Sequence, residues 1–236
     1  MKRLALILLL ASTPALGADI DQLQNLAQGE FRLLSEDLGG ALSYRAQTPT
    51  EPLGTTGFDF GVAVTAVKLE HVGVFDKATS DSANATLPVP TLRLNKGLPL
   101  GVDIGVMYAA VPNSNIRYYG GELRYAIVDG GVALPSVGIR GSITKLTGVD
   151  QLDLSTRGVD LSISKGIGFV TPYAGIGKVW VKSEPRAGAG FLASEEFSMS
   201  RVFLGLGINL LAFNLNFEAD KTGDVTGYSI KTGFRF

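Results

Sequence analysis

The residues able to do chemistry in this chain are few in kind. Histidine occurs once, at His71, and cysteine not at all. Asp76, Ser80, Asp81 and Ser82 follow His71, so a general base with carboxylate and hydroxyl partners could be assembled there. Asp and Ser are equally common in loops, where they hydrogen-bond their own backbone. No hydrolase signature surrounds His71, and the expectation is a protein without catalytic residues. One histidine without cysteine also predicts no metal site and no cofactor. Gly175, Ile176, Gly177 and Lys178 lack the spacing of a phosphate loop, and Asn84-Ala85-Thr86 matches a glycosylation acceptor in form only.

The stronger chemical signal is charge placed on one parity of alternating segments. The carboxylates Asp59, Asp103, Glu122, Asp160, Glu218 and Asp220 fall on it, with the cations Arg93, Arg124, Arg140, Lys178, Arg201, Lys231 and Arg235. Six against seven is nearly balanced. Such a set lines an ion-selective pore or fills a narrow interior as paired side chains, and a narrow barrel favours the second.

The elements that place these residues are strands. Leu100, Val102, Ile104, Val106 and Tyr108 alternate with Gly101, Asp103, Gly105 and Met107, and Val202 to Leu210 and Tyr228 to Phe236 repeat the pattern. Ten segments follow, at 56–69, 87–94, 99–110, 116–128, 133–145, 153–164, 168–181, 196–210, 213–220 and 225–236. Most have the length that a tilted strand needs to cross a bilayer. Tight turns at 95–98, 129–131, 165–168 and 211–212 alternate with longer loops, notably 70–86 and 182–195, as in a membrane barrel. One choice of strand direction sorts most aromatics into two girdles. Phe58, Phe60, Phe169, Tyr173, Phe213, Phe217, Phe234 and Phe236 fall at the turn end, and Tyr108, Tyr118, Tyr119, Trp180 and Tyr228 at the other, with Phe203 inside.

Composition agrees. The chain has 236 residues, 45% hydrophobic and 18% charged, with 21 Lys and Arg against 22 Asp and Glu. A balanced charge predicts no nucleic-acid partner. Mean hydropathy is +0.23, yet the longest apolar run is Leu4 to Ala11, far short of the roughly 18 residues of a spanning helix. Lys2 and Arg3, the apolar Leu4 to Leu10, and Ala15 and Gly17 form a secretory signal peptide over residues 1–17.

The closing residues Tyr228, Ile230, Phe234 and Phe236 resemble the last strand of Gram-negative outer-membrane β-barrel proteins. That resemblance implies an antiparallel up-and-down transmembrane barrel over 56–236, outer-membrane lipid as surroundings, and a C-terminal signal read by the barrel assembly machinery. It also implies export through the periplasm. Residues 18–55 lie ahead of the ten strands. Asp19 before Ile20, Leu23 and Leu26 predicts a short N-capped helix. In placement and composition this segment is similar to the hatch of FadL-type fatty-acid transporters, although their Asn-Pro-Ala motif is missing and ten strands are fewer than their fourteen. The resemblance implies a plug that gates passage of a small apolar or amphipathic solute. The alternatives are a periplasmic cap, or a strand over Gly39 to Arg45 in a barrel of twelve. In function, a closed structural barrel acting through its loops stands beside gated passage, with a His71-dependent surface enzyme behind both.

Overall fold

A computed structural model of the chain describes residues 17–80, 84–131 and 133–236. The expected signal peptide, apart from Gly17, lies outside the described residues, as do Asp81 and Ser82. Ten antiparallel strands close into one barrel. They are β1 Phe58–Lys68, β2 Thr86–Gly97, β3 Val102–Ala110, β4 Arg117–Val128, β5 Ser136–Thr147, β6 Leu152–Ser164, β7 Val170–Pro185, β8 Glu195–Leu210, β9 Phe213–Thr222 and β10 Val225–Arg235. Each of the ten expected segments is a strand, to within a few residues at its ends. The ring closes where β1 pairs with β10, from Asp59 opposite Arg235 to Lys68 opposite Thr226. Closure leaves no unpaired strand edge, which an element surrounded by lipid requires.

Ahead of the barrel come one 3-10 turn, Leu23–Asn25, and the helix α1, Gln28–Leu42; a second helix, α2, Val72–Ala78, lies between β1 and β2. Two expectations are corrected here. No α-helix starts at Asp19: Asp19 is exposed and outside any helix or strand, and only Leu23–Asn25 form a 3-10 turn near it. Gly39 to Arg45 is no strand; its first four residues end α1 and the rest is irregular, so the barrel has ten strands and not twelve. The helix follows from Phe31, Leu34, Leu38 and Leu42, which share one face at helical spacing and are buried.

The two ends of the barrel differ. Phe236 exchanges backbone hydrogen bonds with Phe58 at the end that holds the short turns. At the opposite rim, Ile20 pairs with Thr79, and the Ile20 N–H donates to Asn115 Oδ1 at 3.1 Å. From that rim α1 enters the lumen, and residues 43–57 descend to the start of β1.

Candidate functional site

Two tiers fill the lumen. The upper tier, nearer the long loops, is apolar. There Phe31, Leu34, Leu38 and Leu42 of α1 join one core with inward residues of the wall, among them Leu154, Val179, Val181, Met199 and Val225. The helix comes close to the wall because it presents two glycines. A Cβ on Gly39 would stand 2.6 Å from Val181 Cγ2, and one on Gly40 2.7 Å from Val225 Cβ. Polar contacts fix the helix in place. The Ser35 and Ser183 hydroxyls are 2.8 Å apart. Arg32 pairs with Glu36 at 2.7 Å and Glu195 at 3.2 Å while lying over the Phe197 ring.

His71 takes part in this clamp. Its N–H donates to Asp37 Oδ2 at 2.8 Å, and its ring Nδ1 lies 3.1 Å from Asp37 Oδ1, tying α2 to α1. Burial pushes the Asp37 carboxyl above its ordinary value, and the His71 bonds pull it back in part. Lys77 of α2 reaches Glu30 of α1 at 2.5 Å. That bond and the Ala27 N–H hold the Glu30 carboxyl below its usual range. Ser80, which the sequence places near His71, contacts Asp21 instead.

The lower tier is ionic, and residues 43–57 run through it as a strap. Arg201 grips the strap through the Tyr44 carbonyl at 2.5 Å and the Ser43 hydroxyl. Arg93 donates to the Arg45 carbonyl at 2.8 Å and to Gln47 Oε1 at 3.0 Å. From the strap, Arg45 Nε donates to Asp220 at 2.8 Å and the Gln47 N–H to Glu218 at 2.6 Å. Lower still, Asp103 accepts from the Leu53 N–H at 3.1 Å and from Arg124 at 2.9 Å. Arg140 pairs with Asp160 at 2.5 Å, and Glu122 sits 3.6 to 3.9 Å from Arg140, Arg93 and Arg124. Lys231 is buried against Asp59 across the β1–β10 seam. Arg235 reaches the Glu51 carbonyl at 3.4 Å.

Asp59, Arg93, Asp103, Glu122, Arg124, Arg140, Asp160, Arg201, Glu218, Asp220 and Lys231 therefore all face the lumen. Lys178 does not, and this is a correction. It is exposed on the outer face of β7, with its Nζ 5.7 Å from the Trp180 ring, while the inward positions are Tyr173, Val179 and Val181. Six carboxylates thus meet six cations of the wall, Arg235 included, and Arg45 of the strap is a seventh. Tyr118 and Tyr173 are likewise corrected. They belong to the lumen and not the girdles, and the Tyr173 hydroxyl donates to Glu218 at 3.0 Å. Sequence reasoning missed Tyr44, Arg45 and Gln47. Their only signal was a polar stretch after an apolar helix face.

Inward glycines provide room that is then occupied. A Cβ on Gly205 would stand 2.2 Å from Tyr173 Cζ, and one on Gly175 2.3 Å from Phe203 Cζ. The spaces left beside the strap are cavities of about 20 Å³ and 10 Å³. A single water needs about 10 to 15 Å³ of such space, so each has room for about one water molecule. Among the described residues, α1 and the strap fill the lumen between the walls.

The outer face has the opposite character. Below the rim, Phe60, Val62, Val64, Leu92, Leu94, Val106, Ile139, Leu161, Leu204, Ile230 and Phe234 stand exposed. An apolar band around the whole wall has lipid as its matching solvent. Phe58, Phe213, Phe217 and Phe236 mark its lower edge, and Tyr108, Tyr119, Trp180 and Tyr228 its upper part, as a pair of girdles requires.

Three solved structures are similar to the chain at low identity. The outer membrane protein OprG from Pseudomonas aeruginosa is 12% identical, with 80% of this chain and 99% of that chain covered and a TM-score of 0.38. The KdgM porin is 10% identical, with 77% and 99% covered and a TM-score of 0.37. The N-terminal β-barrel domain of Pseudomonas aeruginosa OprF is 11% identical, with 78% and 99% covered and a TM-score of 0.35. No protein-family model and no curated protein matches the chain. Similarity at this level leaves function to be derived from the residues themselves.

Proposed function

We propose that the protein is an outer-membrane barrel with a closed lumen that acts through its long-loop rim. The filled lumen carries this reading. α1 occupies the upper tier, the strap occupies the lower one, and both are bonded to the wall. The rim is built up on the same side, where α2 covers α1 and the loop at 186–194 projects a fully exposed Phe191. Short turns and the terminal Phe236 at the other end support placing that end in the periplasm. There Tyr228, Ile230, Phe234 and Phe236 would be read during assembly, after a signal peptide over residues 1–17 has been removed.

One observation favours the second reading, gated passage of a small apolar or amphipathic solute. The upper tier around α1 is apolar, so withdrawal of the helix would leave an apolar vestibule. A tether separates the two. The double substitution Ser35→Cys and Ser183→Cys joins α1 to β7, since the two hydroxyls are 2.8 Å apart. The closed barrel predicts no conductance steps in planar bilayers, and no solute flux in liposomes, with the tether oxidised or reduced. Flux that stops on oxidation and returns on reduction would establish passage and overturn the closed reading.

A further inference from the structure

The outer wall carries a feature that neither reading of the lumen uses. On β5, β6 and β7 the outward residues are apolar from the turn end upward: Val137, Ile139 and Ile143; Ile163, Leu161 and Val159; Pro172, Ala174 and Ile176. They then change to Lys145, Arg157, and Lys178 with Lys182. Strand pairing brings these four together. Arg157 stands opposite Ile143 on one side and Trp180 on the other. Lys145, Lys178 and Lys182 therefore lie on its diagonals, about 7 to 8 Å away in Cα position. Four cations share one face around the single tryptophan of the chain.

Like charges in such positions repel unless an anion joins them. The protein supplies few. Lys145 shares Asp153 with Arg186, at 3.5 Å and 2.6 Å, and Lys182 meets Glu184 at 2.8 Å and Glu196 at 4.0 Å. Arg157 and Lys178 have no ion pair among the described residues. Between the strands lies a concavity of about 850 Å³, lined by Ser155, Arg157, Val159, Trp180, Lys182 and Ser198, and by the carboxylate Glu196, which faces Lys182 at 4.0 Å. Its height fits a headgroup. Seven residue steps of about 3.3 Å at a tilt of about 40° raise Arg157 roughly 18 Å above Ser164, in an apolar band about 25 Å tall. Arg157 covers the remaining distance by extending upward, and Lys178, two steps lower opposite Val159, adds its charge from beneath, with its Nζ 5.7 Å from the Trp180 ring.

We propose that Lys145, Arg157, Lys178 and Lys182, with Trp180 between them, bind the phosphate-bearing headgroup of an anionic lipid in the leaflet nearest the long-loop rim. Arg157 offers a planar fork to phosphate oxygens, the lysines add point charges, and Trp180 lies along the acyl chains at the interface. The site rests on the membrane-barrel reading above, and its test keeps the two apart.

Trp180 reports on its own neighbours. The full chain is reconstituted in phosphatidylcholine vesicles containing a minor fraction of brominated phosphatidylglycerol, and tryptophan quenching is compared with that by brominated phosphatidylcholine. The site predicts that phosphatidylglycerol contacts Trp180 about fivefold more often than its mole fraction, the preference that one surface cation typically provides. The substitutions Arg157→Gln and Lys178→Gln together should return that ratio to about one while quenching by brominated phosphatidylcholine persists. Quenching in proportion to mole fraction for the native chain, or a preference unchanged in the double variant, would overturn the site. A native Trp180 response to inorganic phosphate in detergent equal to that given by the lipid would reassign the site to a free anion and also overturn it. Absence of quenching by either brominated lipid would remove the membrane reading itself, a distinguishable result.

Discussion

Lys231 and Asp59 show how single residues hold the wall together. Both are buried, on adjoining strands of the closing seam. An ion pair in such a place adds little over a well-packed apolar pair, but removing one partner strands a charge in low dielectric. Lys231→Met should therefore cost about 3 to 5 kcal/mol, and Lys231→Met with Asp59→Asn should recover most of that loss. Urea unfolding of the purified barrel measures both, and equal losses in the single and double variants would contradict the pairing. Twelve of the thirteen charges expected inside were legible because inward charge and outward apolar residue alternate across the apolar band. Lys178 was not, for a physical reason. In the upper tier the inside is apolar, because α1 packs there, and the outside becomes polar where the band ends. The pattern inverts at Lys178 and Val179, and placing Tyr173 in the girdle carried the opposite parity up β7 to Lys178.

Among the elements, strands were plain in the sequence because each had to satisfy two solvents, lipid outside and a packed lumen within. The helix α1 was harder to see. It is buried over much of its surface, so its apolar stripe is blurred, and Gly39-Gly40 looks like a break. The structure gives the pair another role, since each glycine stands where a side chain would strike the wall. Gly40→Val places its Cβ 2.7 Å from Val225 Cβ and 3.1 Å from the Thr222 carbonyl oxygen. Overpacking of this kind costs about 1 to 3 kcal/mol. The element that yields should be α1, because the wall strands are tied by continuous hydrogen bonding. Limited proteolysis should then cut within residues 28–57 of the variant, while the heat-modifiable mobility of the barrel on gels stays unchanged. Loss of that mobility shift would mean that helix and wall form one cooperative unit.

At the scale of the whole molecule, the path of the chain constrains its orientation. The chain enters at the long-loop rim, passes down the lumen as α1 and the strap, turns at Gly57 and rises as β1. Phe236 ends at the base beside Phe58. The segment that precedes the barrel and the strand that closes it therefore sit at opposite ends, an arrangement alternation alone could not reveal because the strap is irregular. Threading has a consequence for assembly. A ring closed by β1 and β10 around residues 43–57 must close after the strap is inside, or the strap must be drawn through. The native chain has no cysteine, so single-cysteine labelling can test the path. Asp19→Cys and Phe191→Cys should react with a membrane-impermeant maleimide from one side of oriented vesicles, and Leu211→Cys only from the other; all three positions are exposed. Labelling of Asp19→Cys from the same side as Leu211→Cys would place the N-terminal segment at the base and undo the two-tier plug. With Asp19→Cys on the rim side, α1 approaches the lumen from the side where α2 covers it. A displacement of the plug would then have to begin at the His71 and Lys77 contacts, not at the turns.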